Sequence, residues 1–301
     1  MLPNNDISTS NQSINGEATS NYCKLPDEAA TDRVSGSFTV LAARELLARF
    51  AATLFLDPMA GAWEKLHVTR TEHELFREAA SLFRQAALDA NDSVIAADLD
   101  ALDPSPVLAR LPASRRDLLE EYDRTFGIVA AGAYPLYATE YLPARFTFQR
   151  SQMMADIAGF YQAFKLQIAA SRPERPDHLV CQLQFVAWLI YLERNTWSLA
   201  DESGQGRRAV CRQAQQRFVR DYVAFWLPSL ARCLASEAPD GFYGTAARFL
   251  GSWLAAECAW LDIEPVAAAL QPSLIEPPEC CSACLTDPGE VDLHDIRPSG
   301  A

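Results

Sequence analysis

The chain has 301 residues, 49% of them hydrophobic, with a formal net charge of −13 at pH 7. That hydrophobic share suits a globular core and is too high for a disordered chain; the negative balance argues against a nucleic-acid binder, whose surface must meet phosphates. No apolar run reaches the roughly 18 residues of a membrane span, and the start shows neither a secretory leader nor a twin-arginine pair, so a cytoplasmic protein without stable membrane insertion is expected.

Residues 1–36 are polar, with five acids against Lys24 and Arg33, and read as a disordered leader. From Phe38 the pattern turns helical, with Leu41, Leu46, Leu47, Phe50, Leu54 and Phe55 at helix spacing until Asp57-Pro58. A second helix is expected over Thr71–Leu88, with Leu75, Phe76, Ala79, Leu82, Phe83 and Ala86 on one face and a capping box from Thr71 to Glu74. Asp103-Pro104-Ser105-Pro106 reads as a break, Ser114–Phe126 as a helix, and Gly127–Pro143 as a loop. Helices then follow over Arg145–Leu166, Asp177–Leu199, Arg207–Leu234 and Phe242–Leu261, the Asp177 helix apolar enough for a central position.

Two-residue alternation is missing, so the expected fold is all-α: a single irregular bundle of about seven or eight helices with disordered termini. The domain limits are a leader at 1–36, a helical body at 37–271, and an acidic, Pro- and Cys-containing tail at 272–301.

Three phrases draw attention. Asp177 directly precedes an apolar helix and reads as its N-cap, with His178 in the first turn, where the helix dipole keeps the imidazole neutral. Tyr134-Pro135-Leu136-Tyr137-Ala138-Thr139-Glu140-Tyr141 sets three tyrosines and a leucine around a stiff proline, a mixture suited to holding an apolar peptide. Glu140 is its one acid, available to an Arg or Lys of a ligand. In the tail, Cys280, Cys281 and Cys284 include one Cys-x-x-Cys pair, with His294 further on. Zinc, redox chemistry or an unpaired tail all remain open, because a second ligand pair is missing. Cys181, Cys211, Cys233 and Cys258 sit singly in apolar patterns as reduced thiols. No nucleophile–base set, phosphate loop or dinucleotide fingerprint is found, so neither catalysis nor a cofactor is expected.

Glu121-Tyr122-Asp123-Arg124-Thr125-Phe126, Pro135–Tyr141 and Glu174-Arg175-Pro176-Asp177-His178-Leu179 occur in the order of three phrases of the TorD/DmsD family of cytoplasmic redox-enzyme maturation chaperones, relatives of the nitrate-reductase delta subunit. The resemblance covers roughly Phe38 to Leu261. Ala138 and Gln182 depart from it, since the family often has Glu at both. The forms at Tyr122–Gly127 and Ala138–Tyr141 look closer to members serving dimethyl-sulfide, ethylbenzene, selenate or chlorate type enzymes.

The resemblance implies a non-enzymatic chaperone. It would bind the twin-arginine leader, or the apo catalytic subunit, of a molybdopterin oxidoreductase, aid cofactor insertion and hold back export. The alternatives are a delta-type assembly subunit and a metal or redox sensor using the tail cysteines. Some family members bind guanine nucleotides weakly. A monomer or homodimer is expected. The client-binding residues would be Tyr134, Pro135, Leu136, Tyr137, Glu140, Tyr141, Asp177 and His178, lining a groove between the tyrosine loop and the helix start.

Overall fold

A computed structural model of the chain describes residues 28–91, 94–127, 134–142, 147–170, 173–196 and 202–264. Two compact units are present, Met1–Gly36 and Ser37–Ala301. Of the first, residues 28–36 are described and are helical. The tail cysteines and His294 lie outside the described residues.

The fold is all-α. Among the described residues its ten helices are α1 (Glu28–Leu54), α2 (Ala62–Thr71), α3 (His73–Ala90), α4 (Ser105–Ala109), α5 (Arg115–Phe126), α6 (Thr147–Ala163), α7 (Leu179–Asn195), α8 (Glu202–Phe218), α9 (Leu227–Glu237) and α10 (Phe242–Leu261). Among the described residues the one extended pairing is an antiparallel bridge between Tyr137 and His178.

The count exceeds the expected seven or eight for local reasons. After α1, Asp57 accepts a hydrogen bond from the Met59 amide at 2.7 Å and starts a 3₁₀ turn. Gly61, at φ 88°, then admits α2. The prolines at 104–106 start a helix instead of only breaking one, because proline lacks the amide that a first turn leaves unused. Residues 207–234 form two helices, parted by a π-helical turn at Val219–Val223 and restarted at Pro228. The capping box expected at Thr71 is not made: the Thr71 hydroxyl donates back to the Val68 carbonyl, and Glu74 pairs with Arg77. The true capping box joins Ser114 and Asp117 at the start of α5. On α3 the buried face is Phe76, Ala79, Ala80, Phe83 and Ala87. Leu75 and Leu82 lie on the neighbouring stripe and are exposed, against expectation.

Helix α10 is the most enclosed element, buried on nearly every face against α9, α3, α4 and the 3₁₀ turn at Ala96–Leu102. Helix α7, expected to be central, also buries ten of its 17 residues. Gly244 permits the tight entry of α10 after α9, since a Cβ there would overlap the Ala238 carbonyl oxygen. The α10 N-terminus has no cap of its own. Glu121 on α5 supplies one, accepting from the Phe242 amide at 2.9 Å. Around it Tyr122 and Phe126 pack against Tyr243, so the Glu121–Phe126 phrase is a helix-to-helix clasp.

A polar cluster crosses the core between α1, α7, α8 and α10. Arg44 is fully buried and pairs with Glu257, also fully buried, with Nη2 to Oε2 at 2.5 Å and Nε to Oε1 at 3.2 Å. Arg44 also donates to Gln215, which donates to Glu193. Burial pushes the Glu257 carboxyl up while Arg44 pulls it down, and burial prevails.

Candidate functional site

Leu136, Ala138, Thr139 and Tyr141 turn inward from the tyrosine loop, and that loop is zipped onto the start of α7. The Ala138 amide donates to the Asp177 carbonyl at 3.1 Å, and the Leu179 amide donates to the Leu136 carbonyl at 2.8 Å. The expected groove between loop and helix is therefore a closed seam. Tyr141 leaves it to pack against Trp226, ring centroids 5.1 Å apart.

Asp177 is not the N-cap of α7. His178 is, its Nδ1 accepting from the Val180 amide at 3.2 Å. The chain enters the helix one residue later than expected, which turns Asp177 inward to full burial. There its Oδ2 accepts from the Thr139 amide at 3.1 Å and the Thr139 hydroxyl at 2.7 Å. The carboxylate thus caps the 3₁₀ turn Ala138–Tyr141 instead of its own helix.

Arg175 closes the arrangement. Its Nε and Nη2 reach the two Asp177 oxygens at 3.0 and 2.9 Å, its Nη1 reaches Glu140 Oε1 at 3.0 Å, and its Nη2 reaches Thr139 Oγ1 at 2.6 Å. The guanidinium also stands 4.3 Å from the Tyr137 ring centroid. Glu140 Oε2 accepts from Arg150 at 3.2 Å, and Arg150 donates also to the Leu142 carbonyl at 3.0 Å. The one acid of the loop is thus held by two arginines of the chain itself, not left free as expected.

Tyr137 is the pivot of the outer face. Its ring meets the His178 ring edge-on at 5.1 Å, and its hydroxyl donates to Glu174 Oε1 at 3.2 Å. Burial and the Glu174 charge push its pKa to about 12. Burial first, then the charge of Glu237, the last residue of α9, raises the Tyr134 pKa. Tyr161 of α6 donates to the Pro176 carbonyl at 2.7 Å. Burial first, then Asp57, Tyr137 and Glu174, raises the Tyr122 pKa, so the first phrase borders the other two.

The eight expected residues divide in two. Leu136, Tyr141, Asp177 and His178 are buried, while Tyr134, Pro135, Tyr137 and Glu140 reach solvent. Glu174 and Arg175 join the outer set. Both belong to the third family phrase and are not among the eight residues expected to bind a client. Their signal was a charged pair two and three residues before a buried acid. Ala138 and Gln182, the two departures from the family pattern, are both fully buried, and Gln182 accepts from Trp226 Nε1 at 3.2 Å. A carboxylate at either place would need a partner that apolar packing does not supply.

Burial lowers the His178 pKa, with Glu174 and Asp177 opposing and Arg175 assisting. The unfolded imidazole, with a pKa near 6.5, therefore binds protons more readily than the folded one. The contribution of this group to stability is full above that value and is lost as pH falls below it. His178→Asn keeps a capping oxygen and removes the titration. Thermal melts from pH 7.5 to 5 should show a steeper acid loss in the wild type than in the variant; parallel curves would refute this account.

Among the described residues no cluster of His, Cys, Asp and Glu could hold a metal ion, and no helix is long and apolar enough to cross a membrane. Cys181, Cys211, Cys233 and Cys258 are free thiols, the first two and the last pushed up by burial.

Residues 85–232 match the family model described as nitrate reductase delta subunit. The selenate reductase assembly chaperone protein of Thauera selenatis is 33% identical over 102 residues, which are 34% of this chain and 49% of that protein. The chaperone protein TorD of Shewanella loihica is 28% identical over 205 residues, 64% of this chain and 86% of its own. The chlorate reductase assembly chaperone protein of Ideonella dechloratans is 31% identical over 136 residues, 44% of this chain and 66% of its own. The match thus spans about half the length of the selenate relative and most of the TorD relative. No solved structure matches. Within an all-α fold, the matched family model and these three relatives point the same way: the chain resembles the TorD/DmsD-like family, and the relatives it matches are named as reductase assembly chaperones and TorD.

Proposed function

We propose that this protein is a cytoplasmic, system-specific chaperone for the catalytic subunit of a molybdopterin oxidoreductase. It binds the twin-arginine leader of that subunit, or the apoenzyme bearing it, while the cofactor is inserted, and so delays export. It is a binding protein and not a catalyst. The selenate and chlorate names among its relatives support a reductase of that kind as client.

The observation that carries this reading is the convergence of the tyrosine loop and the Glu174–His178 phrase at one seam. On its outer side the Tyr137 ring, the Glu140 and Glu174 carboxylates and the Pro135 ring are partly solvent-accessible within a few residues of one another. A leader is basic at one end and apolar in its middle. Carboxylates beside aromatic and proline rings match both halves. The buried members, Leu136, Tyr141, Asp177 and His178, hold the loop in shape and are not contacts in this reading.

Calorimetric titration of a twin-arginine leader peptide tests it. Tyr137→Ala and Glu174→Gln should each weaken binding by about tenfold, the scale of one interface anchor. The Glu174 variant should melt as the wild type does, because that residue is exposed and glutamine keeps an acceptor for the Tyr137 hydroxyl. Wild-type affinity in both variants would remove the outer face from the binding site. A delta-type subunit that stays with its enzyme, the second reading, is favoured by the family model's own description. Stoichiometric co-purification with the mature enzyme would separate it from a transient chaperone.

A further inference from the structure

We propose that Arg150 is a built-in competitor for Glu140, displaced when a guanidinium of the bound segment takes its place. The inference rests on the leader-binding reading above and assigns Glu140 as the position that selects arginine.

Glu140 offers two oxygens, and each already holds an arginine of the chain. The two arginines are not equally fixed. Arg175 spends three nitrogens on Asp177, Glu140 and Thr139 and stacks on Tyr137. Removing it would strip a fully buried carboxylate of its counter-charge. Arg150 makes one contact to Glu140 at 3.2 Å and one to the Leu142 carbonyl at 3.0 Å. Its Nε is buried and finds no acceptor among the described residues. It also sits in the first turn of α6, where the helix dipole disfavours a cation. Arg150 is therefore the partner that gives way.

The slot it vacates is specific. Glu140 Oε2 and the Leu142 carbonyl are two acceptors spanned by one guanidinium. A second arginine restores both bonds, so the exchange is close to neutral in hydrogen bonds. A lysine, a point charge without the planar fork, restores one. Phe148, on the same turn of α6 and 80% exposed, offers an aromatic ring to the apolar residues that follow a leader's basic end. The competitor keeps the second oxygen of Glu140 paired while the site is empty.

The test compares wild type, Arg150→Gln, Arg150→Lys and the double variant Arg150→Gln with Glu140→Gln, each checked by thermal melt. The probes are an N-acetyl Arg-Arg amide, its Lys-Lys counterpart, and a full leader peptide. Arg150→Gln should bind the Arg-Arg probe about fivefold tighter than wild type, a gain of the size of one charge-assisted hydrogen bond. Arg150→Lys should show part of that gain. The double variant should lose it, and the Lys-Lys probe should gain less than about twofold. Unchanged or weaker binding of the Arg-Arg probe by folded Arg150→Gln and Arg150→Lys overturns the inference. If the Arg-Arg probe shows the gain while the full leader binds neither protein, the competitor role stands and the leader-binding reading falls.

Discussion

Arg44→Met should destabilise the protein by about 3–5 kcal/mol, because it leaves the buried Glu257 without its counter-charge. Glu257 is fully buried, and among the described residues its carboxylate takes both of its hydrogen bonds from Arg44. The side chain that replaces Arg44 is not itself the problem. The guanidinium lies between the Phe83 and Trp260 rings, at 5.9 and 5.4 Å, an apolar slot that a methionine fills well. The double variant Arg44→Met with Glu257→Met should therefore recover more than half of the loss. Gln215 would give up one bond but keep its donor on Glu193. Urea unfolding midpoints, read at constant slope, measure both numbers. A single variant that unfolds at the wild-type midpoint would mean that the pair contributes nothing. A double variant no better than the single would place the role of Arg44 in its packing instead.

This cluster was invisible in the sequence for a physical reason. Periodicity reports which face of a helix is apolar, and Arg44 lies within the apolar stripe of α1 as an apparent intruder. Its partners are 171 and 213 residues away, and no local pattern pairs positions so far apart. The same limit explains Glu121. In the sequence it stands out only as the first residue of a family phrase, and the structure makes it the cap of α10. The helical nature of the body was legible because long amphipathic segments carry their own signal, and Phe242–Leu261 was read to the residue. What failed locally were short elements ruled by turn chemistry: α2 behind Gly61, α4 behind its prolines, and the break at Val219–Val223. At the site, the sequence drew the tyrosine loop and the Asp177 region into one place, and hydrogen bonds join them. It misjudged which side chains face out. Moving the α7 start by one residue exchanges the parts of Asp177 and His178, and propensity alone cannot separate two adjacent capping residues.

Asp177→Ala should cost about 2–4 kcal/mol, well above the loss of a simple helix cap. Two donors of the almost fully buried Thr139, its amide and its hydroxyl, would lose their acceptor. Arg175 would lose both bonds to the carboxylate, a smaller effect because its side chain is 37% exposed and water can replace them. Freed from the Asp177 carboxylate, the loop keeps its two backbone hydrogen bonds to residues 177 and 179 and its outer contacts to Arg150, Glu174 and Arg175, but loses the acceptor at its centre. Leader binding should fall too, through the displaced Tyr137 and Glu140 and not through a lost contact. Asp177→Asn separates these routes. It keeps an acceptor for Thr139 and nearly the same shape, so it should be destabilised by about half as much and should bind the leader within a few-fold of wild type when both are fully folded. Were Asp177→Asn to melt near the wild-type temperature yet lose the leader by a hundredfold, the carboxylate would have to meet the ligand directly. The seam would then have to open on binding, because Asp177 is wholly enclosed in the structure described here. Proton exchange of the Thr139 amide, with and without peptide, reads that opening: protection unchanged by peptide keeps Asp177 a structural clasp, and protection lost on binding makes it a contact.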